Sequence, residues 1–85
     1  MEPLRKEPLA FYLNQPYSFA VIPDPDGGFF IHYPDLPGCM TQVEELKEIG
    51  PAADEIRVLW LETAYDQGVV IPLPREDPIA SRSTT

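Results

Sequence analysis

The sequence predicts an α+β domain, with a short N-terminal helix followed by β-β-β-α-β, in which an antiparallel meander packs on one long helix. Three observations carry that prediction. Residues 17–22 and 29–33 alternate aromatic or β-branched side chains with smaller or polar ones, and Pro23-Asp24-Pro25-Asp26-Gly27-Gly28 separates them as a turn. Apolar residues return every three or four positions over residues 44–67, the period of a helix buried on one face. A β-branched run, Val69-Val70-Ile71, follows Gly68 and stops at Pro72.

The order of elements divides the chain into an N-terminal tail over residues 1–8, a domain over 9–74 and a flexible C-terminal tail over 75–85. Residues 7–13 read as a short helix whose start accommodates Pro8, and Asn14 suits its end. Leu9, Phe11, Tyr12 and Leu13 are too apolar for a free segment, so this helix must dock. In the first strand Tyr17, Phe19 and Val21 share one face. In the second, Phe29, Ile31 and Tyr33 oppose Phe30 and His32. Asp26-Gly27 favours a hairpin, because positive φ is cheap at glycine. Pro34-Asp35-Leu36-Pro37-Gly38 is then a stiff corner leading to a third strand at residues 39–41.

In the long helix Leu46, Ile49, Ala53, Ile56, Trp60 and Ala64 form the core face. Gly50-Pro51 interrupts it. Because the apolar phase continues across the interruption, a kink is expected there, with a fresh helix start at Pro51 as the alternative. Val58, Leu61 and Tyr65 lie on the opposite flank, which must meet the N-terminal helix, another subunit or a partner; they are the candidate oligomer interface. Gly68 caps the helix.

Composition bounds the function. Eighty-five residues make one domain, small enough that self-association is a reasonable expectation. Fourteen acidic and 6 basic residues give a formal charge of −8, which repels phosphate backbones and suits a basic partner. One cysteine and one histidine cannot build a disulfide or a soft-ligand metal cluster, so no cofactor or metal is expected. Residues 1–6 lack a signal-peptide pattern and no run is long enough to span a membrane, which points to a soluble cytoplasmic protein.

Few constellations suggest chemistry. Asp24, Asp26, Gly27 and Gly28 resemble the start of a calcium loop, but Pro25 stiffens it and strand residues stand where the bidentate glutamate belongs; the hairpin reading is preferred. His32, Asp35 and Cys39 are the ingredients of a small hydrolase, yet Cys39 has no cationic neighbour in sequence to lower its pKa. The acidic residues Asp35, Glu44, Glu45 and Glu48 lie between the corner and the helix; they offset the helix dipole or contact a partner's lysines and arginines.

Gly27-Gly28-Phe29-Phe30, the run from Pro34 through Gln42, Trp60-Leu61-Glu62 and Ile71-Pro72-Leu73-Pro74 together resemble the HicB-like antitoxin family, in its compact single-domain form. The resemblance extends from about Leu9 to Pro74. It implies a β-β-β-α-β domain of partial RNase H-like fold that assembles into dimers or larger oligomers. It also implies the role of a type II antitoxin, occluding a small basic mRNA-cleaving toxin (HicA-like). Two departures stand out: Val43-Glu44-Glu45 replace the family's usual Gly-Asp-Thr before the helix, and Gly50-Pro51 fall where the family has a good helix former and alanine. Only 13 residues follow Pro72, too few for the C-terminal DNA-binding module that many relatives carry, so promoter binding by this chain is not expected. Nor is nuclease activity, since the first two strands hold no carboxylate to bind metal ions.

Overall fold

A computed structural model describes residues 7–74. Its elements are α1 (Leu9–Leu13), β1 (Ala20–Pro23), β2 (Phe29–His32), β3 (Met40–Val43), a 3-10 turn (Leu46–Glu48) and α2 (Ile49–Asp66). The strands form one antiparallel sheet in the order β1-β2-β3. Val21 pairs with Ile31 and Ile31 with Thr41, whereas Ala20, His32 and Met40 are opposite one another on alternate positions. Side chains alternate across a strand, so the buried Ile31 and Tyr33 define the inner face and place His32 on the outer one.

The strands are shorter than their sequence patterns. β1 begins at Ala20 because Ala20 pairs with His32, the last residue of β2. Beyond it the Tyr33 N–H points to the other edge, donating to the Cys39 carbonyl at 3.0 Å, and the next residue facing β1 is Pro34, which has no N–H with which to extend the ladder to residues 17–19. The third strand starts at Met40 rather than 39, because the Cys39 N–H is spent on the Leu36 carbonyl inside the corner. Between β1 and β2 the loop closes with Asp24 N–H donating to the Gly28 carbonyl at 3.0 Å. Gly27 and Gly28 supply positive φ, 110° and 89°.

The expected fourth strand does not form. Past Asp66 the Gly68 and Val69 N–H groups donate to the Tyr65 and Ala64 carbonyls at 3.2 and 2.9 Å, a helix-ending Schellman pair made possible by φ of 73° at Gly68. The following segment runs unpaired, with Val70 85% exposed and Ile71 buried. A 2.6 Å hydrogen bond from the Tyr17 hydroxyl to the Pro72 carbonyl holds it against the core.

The expected kink at Gly50-Pro51 is also replaced. The α-helix begins afresh at Ile49, which places Pro51 in the first turn, where its missing N–H has no intrahelical partner to lose. Ahead of it, the Glu48 carboxylate accepts the Glu44 and Glu45 N–H groups at 3.1 and 3.0 Å, and Glu45 and Glu48 form a capping box. This separate turn has its own phase. Leu46, assigned to the core by spacing, is 69% exposed in consequence.

The core joins Tyr17, Ile31, Tyr33, Leu36, Cys39, Ala53, Leu61, Ala64 and Ile71. Leu9, Tyr12 and Leu13 of α1 pack against it, and the Arg57 guanidinium donates to the Leu13 carbonyl at 2.8 Å. Five residues are too few for a self-sustaining helix, so these contacts hold α1. They also cover the second flank of α2. Leu61, a candidate interface residue, is fully buried within the chain; Val58 and Tyr65 are half-buried, with the Tyr65 ring 6.2 Å from that of Tyr12.

Candidate functional site

The corner at residues 33–39 consists of two consecutive turns. Leu36 N–H donates to the Tyr33 carbonyl at 3.1 Å and Cys39 N–H to the Leu36 carbonyl at 2.9 Å. Pro37 followed by Gly38 at φ 80° is the type II arrangement, which demands positive φ at its third residue. Three side-chain bonds tie this corner to one face of α2. The Tyr33 hydroxyl donates to the Ala53 carbonyl (2.8 Å), Cys39 Sγ to the Ile56 carbonyl (3.5 Å), and Trp60 Nε1–H to the Pro37 carbonyl (2.8 Å). The corner fixes how sheet and helix meet, through Tyr33, Pro37 and Cys39.

His32 and Cys39 do not form a pair. His32 stands on the outer sheet face, stacked on Phe30 with ring centroids 5.8 Å apart, whereas Cys39 is buried in the core on the other side. Burial pushes the Cys39 thiol up to about 11, with Arg57 pulling weakly the other way. Burial likewise raises Tyr17 and Tyr33. A thiol in that state is a poor nucleophile at neutral pH. Iodoacetamide is expected to label Cys39 slowly in the folded protein and readily in urea.

The sign of the linked stability follows from the same shifts. An acid whose folded pKa is raised stays protonated longer in the native state, so its contribution is complete below the ordinary thiol value of 9.0 and fades as pH rises toward about 11. The two tyrosines act in the same direction above their ordinary 10.0. Thermal melts at pH 8 and pH 10.5 are therefore expected to show a lower midpoint at the higher pH.

The four acidic candidates do not converge. Asp35, half-buried, lies past the His32 end of β2; Glu44, Glu45 and Glu48 follow Val43, which pairs with Phe29 at the opposite end. There they adjoin the hairpin acids instead. Gln42 Nε2 donates to Asp24 Oδ2 at 3.0 Å, bridging β3 to that loop. Glu48 is occupied in capping and Glu45 sits 3.5 Å from Lys47 in an exposed pair. Among the described residues no group of three His, Cys, Asp or Glu side chains is placed to hold a metal ion, and no helix is long and apolar enough to cross a membrane.

A second acidic feature escaped the sequence reading. Glu55, Leu59, Glu62 and Asp66 are all exposed and fall at i, i+4, i+7 and i+11 on the outer face of α2. That spacing was visible in the sequence, but tracing apolar periodicity alone passed over it.

The arrangement has parallels among known proteins, although no protein-family model matches the chain. A UPF0150 protein of Synechocystis sp. is 36% identical over 56 residues, covering 66% of this chain and 77% of that protein. Antitoxin HicB of Escherichia coli K12 is 29% identical over 58 residues, 68% of this chain but only 42% of the antitoxin. Among solved structures, a chain of a HicA3 and HicB3 toxin-antitoxin complex superposes with a TM-score of 0.61 at 26% identity, covering 73% of this chain and 70% of its own. The fold and the extent of the similarity to the UPF0150 protein and to HicB together show that the chain belongs to the HicB-like antitoxin family.

Proposed function

We propose that this protein is the antitoxin of a type II toxin-antitoxin system, a non-catalytic cytoplasmic protein that neutralises a small basic mRNA-cleaving toxin by covering it. The observation that carries the reading is the superposition on a chain of a HicA3–HicB3 complex at 26% identity. The charge supports it: from Glu7 to Pro74 there are eleven carboxylates against two cations, Lys47 and Arg57. Such a surface attracts a basic protein and repels RNA and DNA. The antiparallel order β1-β2-β3 backed by α2 supports reading the domain as the partial RNase H-like fold of the family. We further infer that the chain works as a homo-oligomer, a dimer or tetramer, as its small size favours.

The test is growth rescue. A HicA-like toxin encoded beside this chain's gene is induced in a bacterial host, with and without the chain. Expression of the chain is expected to restore growth. Continued arrest in the presence of folded, soluble chain would remove the antitoxin reading.

A further inference from the structure

An apolar groove of about 240 Å³ runs between the corner and the outer side of α2, lined by Gly38, Met40, Ile56, Leu59, Trp60 and Thr63. Its mouth is unusually open for apolar side chains, with Met40 52% and Leu59 62% exposed. The volume falls below the roughly 300–1,000 Å³ of small-molecule pockets and suits an inserted side chain rather than a metabolite. A smaller hollow continues it along Trp60, Thr63 and Val69.

Charge identifies the occupant. Glu55, Glu62 and Asp66 share the stripe of α2 that carries Leu59, and no lysine or arginine stands three or four residues from any of them. Glu62 and Asp66 repel each other at i, i+4, an arrangement that costs helix stability. Neither described cation serves the stripe: Arg57 is bound to Asp54 at 2.7 Å and to the Leu13 carbonyl, and Lys47 lies beside Glu45. A second copy seated here would bring one acidic ridge toward another negatively charged surface.

We propose that this groove docks a basic amphipathic segment of a partner protein. One apolar side chain of the segment seats between Met40, Leu59 and Trp60, and its flanking lysines or arginines meet Glu55, Glu62 and Asp66. The inference deepens the binding role proposed above and rests on it for the choice of a protein as occupant. It assigns the contact to α2 and the corner, away from the acids at the hairpin end.

The experiment titrates the isotope-labelled full chain at low salt with a synthetic Lys/Leu amphipathic peptide, followed by amide and indole N–H shifts. The expected shifts centre on Met40, Leu59, Thr63 and the Trp60 indole. Leu59→Lys and Glu62→Lys are both at exposed positions and are expected to fold as the wild type does. Each should weaken binding at least about tenfold, and a Glu/Leu or a Lys/Ser peptide should bind weakly or not at all. Four results would overturn the proposal: no binding, equal binding by both variants, shifts centred on the hairpin end or on Phe30 and His32 of the outer sheet face, or groove shifts that grow with protein concentration alone, which would indicate a second copy. Growth rescue without groove binding leaves the antitoxin role intact and removes this surface from it. Groove binding without rescue does the reverse.

Discussion

Leu61→Ala is expected to destabilise the protein by about 2–5 kcal/mol, the usual cost of emptying a fully buried leucine site. Against a total stability of about 5–15 kcal/mol for a domain, less for one this small, that loss is severe. Leu61 is fully buried on α2 in the cluster that joins the helix to the sheet, with Leu9, Tyr12 and Leu13 of α1 packed against that cluster, and Ala64, one turn along, is too small to fill the space it would leave. Urea unfolding is expected to show the lower midpoint, while light scattering under folding conditions returns the wild-type molar mass. A lower mass at an unchanged midpoint would instead put Leu61 at an interface between subunits.

Gly28→Ala is expected to be nearly as costly, by roughly 2–4 kcal/mol, from positive φ and a close approach acting together. A Cβ on Gly28 would stand 2.6 Å from the Val43 carbonyl oxygen, so β3 would have to move away from the hairpin. Gly27 is the internal control. Its φ is 110° but a Cβ there meets nothing within 4 Å, so Gly27→Ala carries the backbone strain alone. Chemical denaturation of the two variants side by side separates the terms. Equal losses would mean that the contact with Val43 is relieved without consequence.

Much of this fold was legible in the sequence because it is encoded locally. Alternation in residues 29–33 marks β2, glycines mark the hairpin, and the recurrence of Ala53, Ile56, Trp60 and Ala64 marks the sheet-facing side of α2. What was not legible depends on partners distant in sequence. Val69-Val70-Ile71 has the composition of a strand, but the helix cap takes the Val69 N–H and, among the described residues, no strand pairs with the rest. Pro51 is compatible with either a kink or a start; the Glu45–Glu48 capping box favours the start. Asp35 and Glu44 are separated by one short strand in the chain yet sit at opposite ends of the sheet, so proximity in sequence suggested a cluster that the antiparallel register disperses. Leu61 shows the same limit. Its spacing with Val58 and Tyr65 revealed a second apolar flank, and only the docking of α1 shows what covers it.

The most direct measurement is inhibition of the toxin's RNA cleavage in vitro. Purified toxin of the proposed pair is incubated with a labelled RNA and increasing amounts of this chain. Antitoxin function predicts that cleavage falls to background as the chain approaches stoichiometric amounts, and that it recovers as salt weakens the contact between an acidic and a basic surface. Undiminished cleavage at a large excess of folded chain would contradict it.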